Sequence, residues 1–382
     1  MSEAILIAAQ AGRALAEAAR RAGLRPYVAD LFGDADTLAL SEAHRPLPGR
    51  FGSPIAADAT LAAIDELAAC AGSPVGIVLG SGFEDAPELV ARIAARHKLI
   101  GADADAIAAL KDPFGFAALC TRLGIPHPMI ATDALPDPSA WLLKRTGGSG
   151  GSHIRPATHG PAPEGHYFQT RVPGRPYALN LLADGRRIQV LAYTEQWCVP
   201  SPIRPYRYGG ALVGSTAEIP LLPEPVLQAV ADAVETIIAA TGLRGLASAD
   251  FLADESGWWL TEINPRPGAT LDILDRRSTP LLAAHIDASL GAMPALGPQP
   301  TDAAAAQICY AEREHAPVPD CPWPDHVRDR PRPGTVVRRD APLCTVLALG
   351  ADRQAALDSL KTRTARLQAD LAAKKTHPEE AL

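Results

Sequence analysis

Short apolar runs alternate with alanine-rich amphipathic stretches through the first hundred residues. These segments are residues 4–9, 12–23, 25–32, 60–71, 75–82, 86–97 and 98–102. Alternation of strand-length runs with helical periodicity is typical of a parallel sheet covered by helices. The pattern predicts a Rossmann-like α/β domain over residues 1–104. The first strand leads into a sequence without GxGxxG, so a dinucleotide site is not favoured there.

Two further patterns follow. Residues 105–130 indicate helices, and the region up to about residue 270 contains antiparallel strands joined by tight turns such as ADGR. They predict an α+β domain over residues 105–293. A proline-rich stretch, one or two strands and a long helix indicate a small α+β domain over residues 294–382, in which the terminal KKTHPEEAL is expected to be frayed.

Bulk composition narrows the classes of function. The 382 residues are 47% hydrophobic with a net charge of -7, and no cluster of Lys and Arg combines with aromatic residues, so no nucleic-acid surface is expected. The N-terminus has an acid where a signal peptide has basic residues, and no apolar run reaches the roughly 18 residues of a membrane span. Six scattered cysteines without a CxxC pair argue against zinc. We expect a cytoplasmic protein with reduced thiols and no membrane partner.

A glycine-rich loop directly follows an apolar strand. The sequence LLKRTGGSGGS places Lys144 on the strand, and the loop contains Gly147, Gly148, Ser149, Gly150 and Gly151. Glycines let backbone amides approach an anion closely, and phosphate is the usual ligand of such a loop. The lysine precedes the glycines, whereas in a P-loop it follows them. We expect the loop to cover a phosphate; the alternative is a flexible linker.

An acidic hairpin ends in the sequence EINPRPG. Two strand patterns are joined by the polar turn ADESG, and pairing centred on Ser256 puts Asp250 opposite Glu262. Together with Asn264 these side chains would present hard oxygen atoms to one point, which suits Mg²⁺. The alternative is a solvated hairpin. The neighbouring apolar residues favour burial, however, and buried carboxylates without a cation are costly.

Three other positions have weaker local signals. Arg266, just after the hairpin, is suited to hold a transferring phosphoryl group or an acyl phosphate by a bidentate contact. Lys111 lies at a helix boundary, where a lysine is usually solvated. The sequence YFQTRVPGRPY has a strand pattern against which an adenine could lie, with Gln169 near the ribose. These assignments depend on the order of the segments along the chain.

The ordered set of motifs resembles the ATP-grasp superfamily of ligases. The resemblance rests on a lysine before a helix, a lysine before the glycine-rich loop, a hinge strand and the hairpin ending in EINPRPG, and it covers residues 105–290. The hinge strand comprises Gln169, Thr170, Arg171 and Val172. The preceding region is similar to the domain that usually precedes an ATP-grasp unit, and GTVVRRDAPLCTVLALG resembles the C-terminal part of biotin-carboxylase-like members.

The resemblance implies a fold of two α+β lobes with ATP between them. It places Lys111 and Lys144 on the phosphates under the glycine-rich loop, and Mg²⁺ or Mn²⁺ on Asp250, Glu262 and Asn264. Lys144 and Arg266 are then the expected catalytic residues. Two positions depart from the family pattern: many members have an acid where Gln169 stands, and Glu where Asp250 stands. Dimers are frequent in related enzymes, so the resemblance allows a homodimer, but the sequence leaves the oligomeric state open.

The family's usual chemistry is phosphorylation of a carboxylate, after which an amine displaces phosphate from the acyl phosphate. Phosphoryl transfer needs positioning and charge neutralisation more than a protein nucleophile, and the sequence offers no Ser-His-Asp or Cys-His arrangement. The chain looks most like predicted carboligases that include the tyramine–glutamate ligases of methanofuran-type cofactor synthesis. In the substrate region of that set, Arg204 and Arg207 could grip a carboxylate and Tyr208 could wall a pocket; the alternative is a surface loop.

The expected function is therefore an ATP- and Mg²⁺-dependent carboxylate–amine ligase that releases ADP and phosphate, with glutamate or another amino acid as the acid. Three alternatives stay open: a biotin-carboxylase-like enzyme that activates bicarbonate, a non-catalytic ATP-binding subunit, and, on the N-terminal rhythm alone, an NAD-dependent dehydrogenase. Retention of all six polar site residues argues against a non-catalytic subunit. These residues are Lys111, Lys144, Asp250, Glu262, Asn264 and Arg266.

Overall fold

The chain folds into three β-sheets with helices packed on and between them, and the computed structural model describes residues 2–373. The terminal sequence KKTHPEEAL, predicted to be frayed, lies outside the described residues. Within residues 2–373, no helix is both long and apolar enough to cross a membrane.

An open parallel sheet occupies the N-terminal region. Its elements are β1 (Ala4–Ala8), α1 (Arg13–Arg21), β2 (Arg25–Asp30), α2 (Ala35–Leu40), β3 (Ala43–Pro46), α3 (Ala57–Ala71), β4 (Pro74–Leu79), α4 (Pro87–Ala94) and β5 (Leu99–Ile100). The strand order is β3-β2-β1-β4-β5 and all neighbours are parallel. All five residues of the central β1 are buried, which explains its continuous apolar sequence. The predicted Rossmann-like sheet is confirmed.

Two helices connect this sheet to a small antiparallel sheet. They are α5 (Ala104–Lys111) and α6 (Pro113–Arg122). Asp112 separates them because Pro113 disfavours the helical conformation at the residue before it, and the Asp112 carboxylate accepts a hydrogen bond from the N–H of Gly115 at 3.0 Å. The small sheet has the order β6-β9-β7-β8, and its strands are β6 (Ile130–Ala131), β7 (Trp141–Arg145), β8 (Arg155–Pro156) and β9 (His166–Thr170).

A second antiparallel sheet of eight strands spans the rest of the chain. Its order is β14-β13-β10-β11-β12-β15-β17-β16. The elements are β10 (Arg175–Asp184), β11 (Ile188–Cys198), β12 (Tyr208–Val213), α7 (Glu224–Thr241), β13 (Arg244–Asp254), β14 (Gly257–Asn264), α8 (Leu271–Leu274), α9 (Leu281–Ser289), β15 (Ala303–Tyr310), β16 (Val327–Arg328), β17 (Pro342–Gly350) and α10 (Arg353–Ala373). The C-terminal strands thus continue the sheet of the middle region through the pairing of β12 with β15.

The core of this sheet determines which way the polar hairpin residues point. Ala249, Phe251 and Ile263 are buried in the same apolar cluster as Val230 and Val234 of α7. Because side chains of a strand alternate between its faces, the polar residues at the intervening positions lie on the opposite face. That face lies toward α5 and the small sheet, and it carries the candidate site.

Candidate active site

Two consecutive carboxylate-bearing strands form the base of the site. Asp250 on β13 pairs directly with Glu262 on β14, as the sequence pattern predicts. The register contains a feature that the pattern does not reveal: the strands shift by one residue between Asp250 and Phe251, where Thr261 is the additional residue. This bulge brings Glu262 level with Asp250, because the two-residue turn alone would set a different register.

The three predicted metal ligands are held together by hydrogen bonds. The amide nitrogen of Asn264 donates to Asp250 Oδ2 at 2.9 Å, which leaves its oxygen facing the same side as Glu262. Gln196 of β11 donates to Asp250 Oδ1 at 3.2 Å. The structure therefore brings together the three side chains that the sequence selected, and it adds Gln196 as a neighbour that sequence reasoning missed.

Lys111 lies against two of the predicted metal ligands. The residue is 9% exposed, and its ammonium donates to Glu262 and lies 3.1 Å from Asn264 Oδ1. Its contact with the phosphates, which the resemblance implies, stays a prediction. A buried ammonium needs a counter-charge, and the end of α5 brings Lys111 within reach of the hairpin.

Burial and neighbouring charges shift the pKa values of Asp250 and Glu262 in opposite directions. Burial and the negative charge of Glu262 raise the pKa of Asp250 to about 6. Burial also acts to raise the pKa of Glu262, but the positive charges of Lys111 and Lys144 outweigh it and hold that pKa at about 2. The cluster thus contains a carboxyl group whose ionised form is not fully compensated by the protein's own cations.

The donor set fits a divalent metal such as Mg²⁺. The oxygens of Glu262 and Asn264 already converge on one cationic group, and Asp250 lies next to them. Carboxylate and amide oxygens are the ligands that Mg²⁺ prefers, usually with substrate phosphates completing its coordination. Within residues 2–373, no group of three or more His, Cys, Asp or Glu side chains could hold a metal ion. A metal at this hairpin would therefore depend on the amide and on a bound ligand.

The glycine-rich loop faces the carboxylate cluster across an open cleft of about 380 Å³. Lys144 on β7 is 6% exposed, and its ammonium lies 5.9 Å from the ring of Tyr167, the residue opposite it on β9. Burial lowers the pKa of Lys144, although the charges of Glu262 and Asp250 oppose that shift. The cleft thus has cations from two elements and a carboxylate from a third, which suits a polyanionic ligand bound with a metal.

A Cβ at several loop positions would come too close to a neighbouring atom. A Cβ on Gly151 would lie 2.0 Å from the carbonyl oxygen of Tyr206, and one on Gly147 would lie 2.2 Å from the Cβ of Asp85. A Cβ on Gly148 would lie 2.4 Å from the ring of His153. The loop backbone can therefore approach its neighbours, including a bound anion, more closely than any other residue type would allow.

His153 lies in the same cleft. Its Nδ1 is buried and has no hydrogen-bond partner in the described part of the chain. Burial and the charge of Lys144 lower its pKa to about 4, so the imidazole is neutral at physiological pH. A buried nitrogen with an unmet hydrogen bond in a cleft indicates a polar ligand. Its position directly after the glycines was the available sequence signal.

Arg266 extends from the end of the hairpin toward the N-terminal sheet. Its Nε donates to Glu84 Oε1 at 2.7 Å, and its Nη1 donates to the carbonyl oxygen of Pro267 at 3.3 Å. Glu84 follows β4 and is 182 positions away in sequence, so no local pattern could pair the two. The predicted catalytic arginine is thus held by the N-terminal domain.

The hinge residues are placed between the small and the large sheet. Gln169 is buried in β9 and lies between Leu142 and Ile130 in the two neighbouring strands. The N–H groups of Thr170 and Arg171 donate to the carbonyl oxygens of Met129 (2.9 Å) and Ala140 (2.8 Å). These two donors are thus already engaged, which moves the expected base contact toward Val172 and the segment that follows it.

The two predicted substrate arginines have a protein partner. The guanidinium of Arg204 lies 3.0 Å from Asp340 Oδ2, and that of Arg207 donates to Asp340 and stacks 3.7 Å above the ring of Tyr310. Arg207 is only 5% exposed. Both arginines therefore tie the 200–207 loop to Asp340, just before β17, and their expected role as carboxylate ligands stays a prediction.

Unlike these arginines, Tyr208 contacts the glycine-rich loop directly. Its N–H donates to the carbonyl oxygen of Gly150 at 2.8 Å, so β12 anchors the glycine-rich loop. Burial raises the pKa of its phenol well above the usual range, and the charge of Asp250 adds to the shift. The predicted pocket role of Tyr208 is compatible with this position.

Comparison with known proteins identifies the class of fold. A family model described as an ATP-grasp domain matches residues 116–270. A biotin carboxylase from Campylobacter jejuni superposes with a TM-score of 0.69 at 17% identity, covering 94% of this chain and 92% of its own. The chain therefore contains an ATP-grasp domain and has the mixed α/β ATP-grasp fold that its motifs indicate.

Two further proteins are similar to the chain, one in structure and one in sequence. An L-amino acid ligase from Bacillus licheniformis superposes with a TM-score of 0.67 at 14% identity and covers 95% of this chain and 97% of its own. The carbamoyl phosphate synthase large chain of Thermoanaerobacter pseudethanolicus is 27% identical over 125 residues, which is 31% of this chain. That match spans only 12% of the synthase's length.

Proposed function

We propose that the protein is an ATP- and Mg²⁺-dependent ligase that joins a carboxylate to an amine and releases ADP and phosphate. One observation carries the proposal: Asp250, Asn264 and Glu262 are joined by hydrogen bonds of the Asn264 amide and the Lys111 ammonium, and Glu262 lines one cleft with Lys144 and the glycine-rich loop. Such an arrangement neutralises and orients a nucleotide triphosphate, which is what phosphoryl transfer chiefly requires.

Each residue then has a separate task. Asp250, Glu262 and Asn264 would hold Mg²⁺, which neutralises charge on the phosphate oxygens during transfer. Lys144 and the amides of residues 147–151 would bind and orient the phosphates. Arg266 would hold the carboxylate and the phosphoryl group that it receives, because a guanidinium can form two parallel hydrogen bonds with either. His153 lines the same cleft and would exclude water from the acyl phosphate. Tyr208, whose N–H donates to the carbonyl oxygen of Gly150, would hold the glycine-rich loop in place.

The similarity to an L-amino acid ligase supports an amino acid as one substrate. We propose glutamate or another amino acid as the acid, and the sequence resemblance to tyramine–glutamate ligases favours a role in cofactor biosynthesis.

We further propose three domains over residues 1–104, 105–293 and 294–382, a cytoplasmic location, a homodimer, and contacts of Gln169 to Val172 with the adenosine.

The decisive experiment incubates the protein with MgATP and pools of amino acids and amines. We expect ADP and phosphate to appear only when a matching acid and amine are both present, together with a condensed product detected by mass spectrometry. Formation of AMP and pyrophosphate would refute the acyl-phosphate route. Nucleotide binding without turnover over broad pools would instead favour a non-catalytic subunit.

A second candidate function is activation of bicarbonate. The curated relatives that match the chain are carbamoyl phosphate synthase large chains, and biotin carboxylases share its fold. In that case ATP cleavage would depend on bicarbonate in the absence of any amino acid. Measuring ADP release in bicarbonate-depleted buffer, with bicarbonate or amino acids added back separately, distinguishes the two candidates.

A further inference from the structure

Glu84 and Arg266 form a buried ion pair between two parts of the chain. The carboxylate is 3% exposed and the arginine side chain 15% exposed. Glu84 Oε1 accepts from Arg266 Nε at 2.7 Å, while Glu84 Oε2 accepts from the N–H of Gly82 at 2.5 Å. Both carboxylate oxygens are therefore occupied, and the glutamate side chain has a fixed position.

The backbone around Glu84 is fixed as well. Gly82 has a φ of +106°, and a Cβ there would lie 2.6 Å from Gln10 and 2.7 Å from Ile55. The next residue, Asp85, lies 3.3 Å from the guanidinium of Arg145, directly before the glycine-rich loop. The turn after β4 therefore contacts both sides of the proposed nucleotide cleft through adjacent carboxylates.

The pair leaves part of the guanidinium available. Nε and one of the two N–H groups of Nη1 are engaged, whereas the other N–H of Nη1 and both of Nη2 have no hydrogen-bond partner within residues 2–373. Asp250 and Glu262 are close enough for their charges to raise the pKa of Arg266, as Glu84 does. Without Glu84, the nearest compensation for a buried guanidinium would be those two carboxylates.

We propose that Glu84 is a positioning residue: it holds Arg266 by Nε so that the Nη edge stays open to an anion and away from the predicted metal ligands. This inference rests on the proposed function, and it makes the N-terminal domain part of the anion site. The ligand class is a phosphate or carboxylate group, which a guanidinium edge binds through two parallel hydrogen bonds.

The test measures binding of inorganic phosphate to the MgADP complex by calorimetry, so that no substrate has to be known. We expect Glu84→Gln to weaken phosphate binding about tenfold, while the Kd for MgADP changes by less than about twofold. Glu88→Gln is the matched control, because Glu88 lies four residues further on, is exposed, and has no ion pair within the described residues. It should bind both ligands as the unmodified protein does.

A double-mutant cycle separates positioning from a general structural role. If Glu84 acts through Arg266, the double variant Glu84→Gln/Arg266→Gln should bind phosphate no more weakly than Arg266→Gln alone. Additive losses would overturn the inference. Should Glu84→Gln fail to fold, Glu84→Asp replaces it in the cycle, because it keeps the charge but retracts it by one methylene.

These measurements distinguish a failure of the proposed function from a failure of the positioning role of Glu84. If the unmodified protein does not bind MgADP, the proposed function is wrong and the inference fails with it. If the unmodified protein binds MgADP and phosphate, and Glu84→Gln binds phosphate equally well, only the positioning role of Glu84 is refuted.

Discussion

Two buried charge clusters in this molecule differ in how completely the N–H donors of their arginine are used. In one, Arg13 of α1 uses all three guanidinium nitrogens in five hydrogen bonds to Asp272, Asp329 and Glu17, at 2.5–3.3 Å. In the other, at the hairpin, Asp250 is a carboxyl group with a raised pKa, and Nη2 of Arg266 has no partner within residues 2–373.

The difference separates a structural cluster from a functional one. Arg13 joins the N-terminal sheet to α8 and to the segment after β16, and it has no donor left for a ligand. The hairpin cluster has an excess of acceptors around one position and an unused donor edge nearby. A buried arginine whose donors all bind protein carboxylates is therefore structural, whereas a buried arginine with unused donors can bind a ligand.

The largest expected effect is on stability and comes from the Arg13 cluster. Replacing Arg13 by Met should lower the free energy of unfolding by about 3–5 kcal/mol, because it leaves two buried carboxylates without their counter-charge. Urea unfolding followed by circular dichroism measures this. Arg92→Met is the control, since Arg92 pairs with an exposed Asp58 and should cost less than about 1 kcal/mol. A loss for Arg13→Met as small as that of the control would contradict the structural role.

The next largest effect is on MgATP turnover and comes from the hairpin cluster. Glu262→Gln should lower MgATP turnover by about 100-fold or more, about 2.7 kcal/mol of activation free energy, while the protein stays folded. Steady-state ADP release with the substrate pair found in the pool experiment measures it. Glu255→Gln in the exposed turn of the same hairpin should leave turnover unchanged. Unchanged turnover in Glu262→Gln would remove the metal assignment.

The ion pair between Arg207 and Asp340 should have an intermediate effect on stability. Arg207→Gln should lower the free energy of unfolding by about 2 kcal/mol, because Asp340 and the Tyr310 ring lose their partner, and it should leave the MgADP affinity unaltered. Chemical denaturation and calorimetry measure the two quantities on the same sample. An unchanged stability together with a higher KM for the acid would support the role in substrate binding that the sequence indicated.

The smallest effect tests the glycine-rich loop. In Gly148→Ala the new methyl group meets the His153 ring, so the ring or the loop must move, and MgADP binding should weaken about fivefold, or about 1 kcal/mol. Gly160→Ala is the control for backbone strain alone, because Gly160 has a φ of +99° and the new methyl group would meet no atom within 4 Å. Equal affinities of the two variants would show that the packing of His153 against the loop does not matter for binding.

Much of the fold could be predicted because it depends on local periodicity. The alternation of apolar runs and helices led to the parallel N-terminal sheet, and the turn ADESG led to the pairing of Asp250 with Glu262. The bulge at Thr261 was not predictable in this way. The spacing of polar residues indicated which side chains share a face, but an inserted residue changes the register without leaving a marker in composition.

The contacts that complete the site could not be predicted, because they join distant segments. Lys111 meets Glu262 across 151 positions, and Arg204 meets Asp340 across 136. The contact of Arg207 with Asp340 could not be predicted for a related reason. An arginine in a proline-rich loop has the same local pattern whether its guanidinium meets a substrate or an aspartate that arrives from the C-terminal strands.

The pairing of β12 with β15 has a consequence for attempts to isolate the ATP-grasp region. Composition suggests a boundary near residue 293, yet cutting there would remove the partner strand of Tyr208–Val213 and leave its backbone N–H and C=O groups open to solvent. An exposed strand edge of this kind is a template for association with other chains. A chain truncated at that boundary should therefore aggregate, and the part that anchors the glycine-rich loop would be the first to be lost.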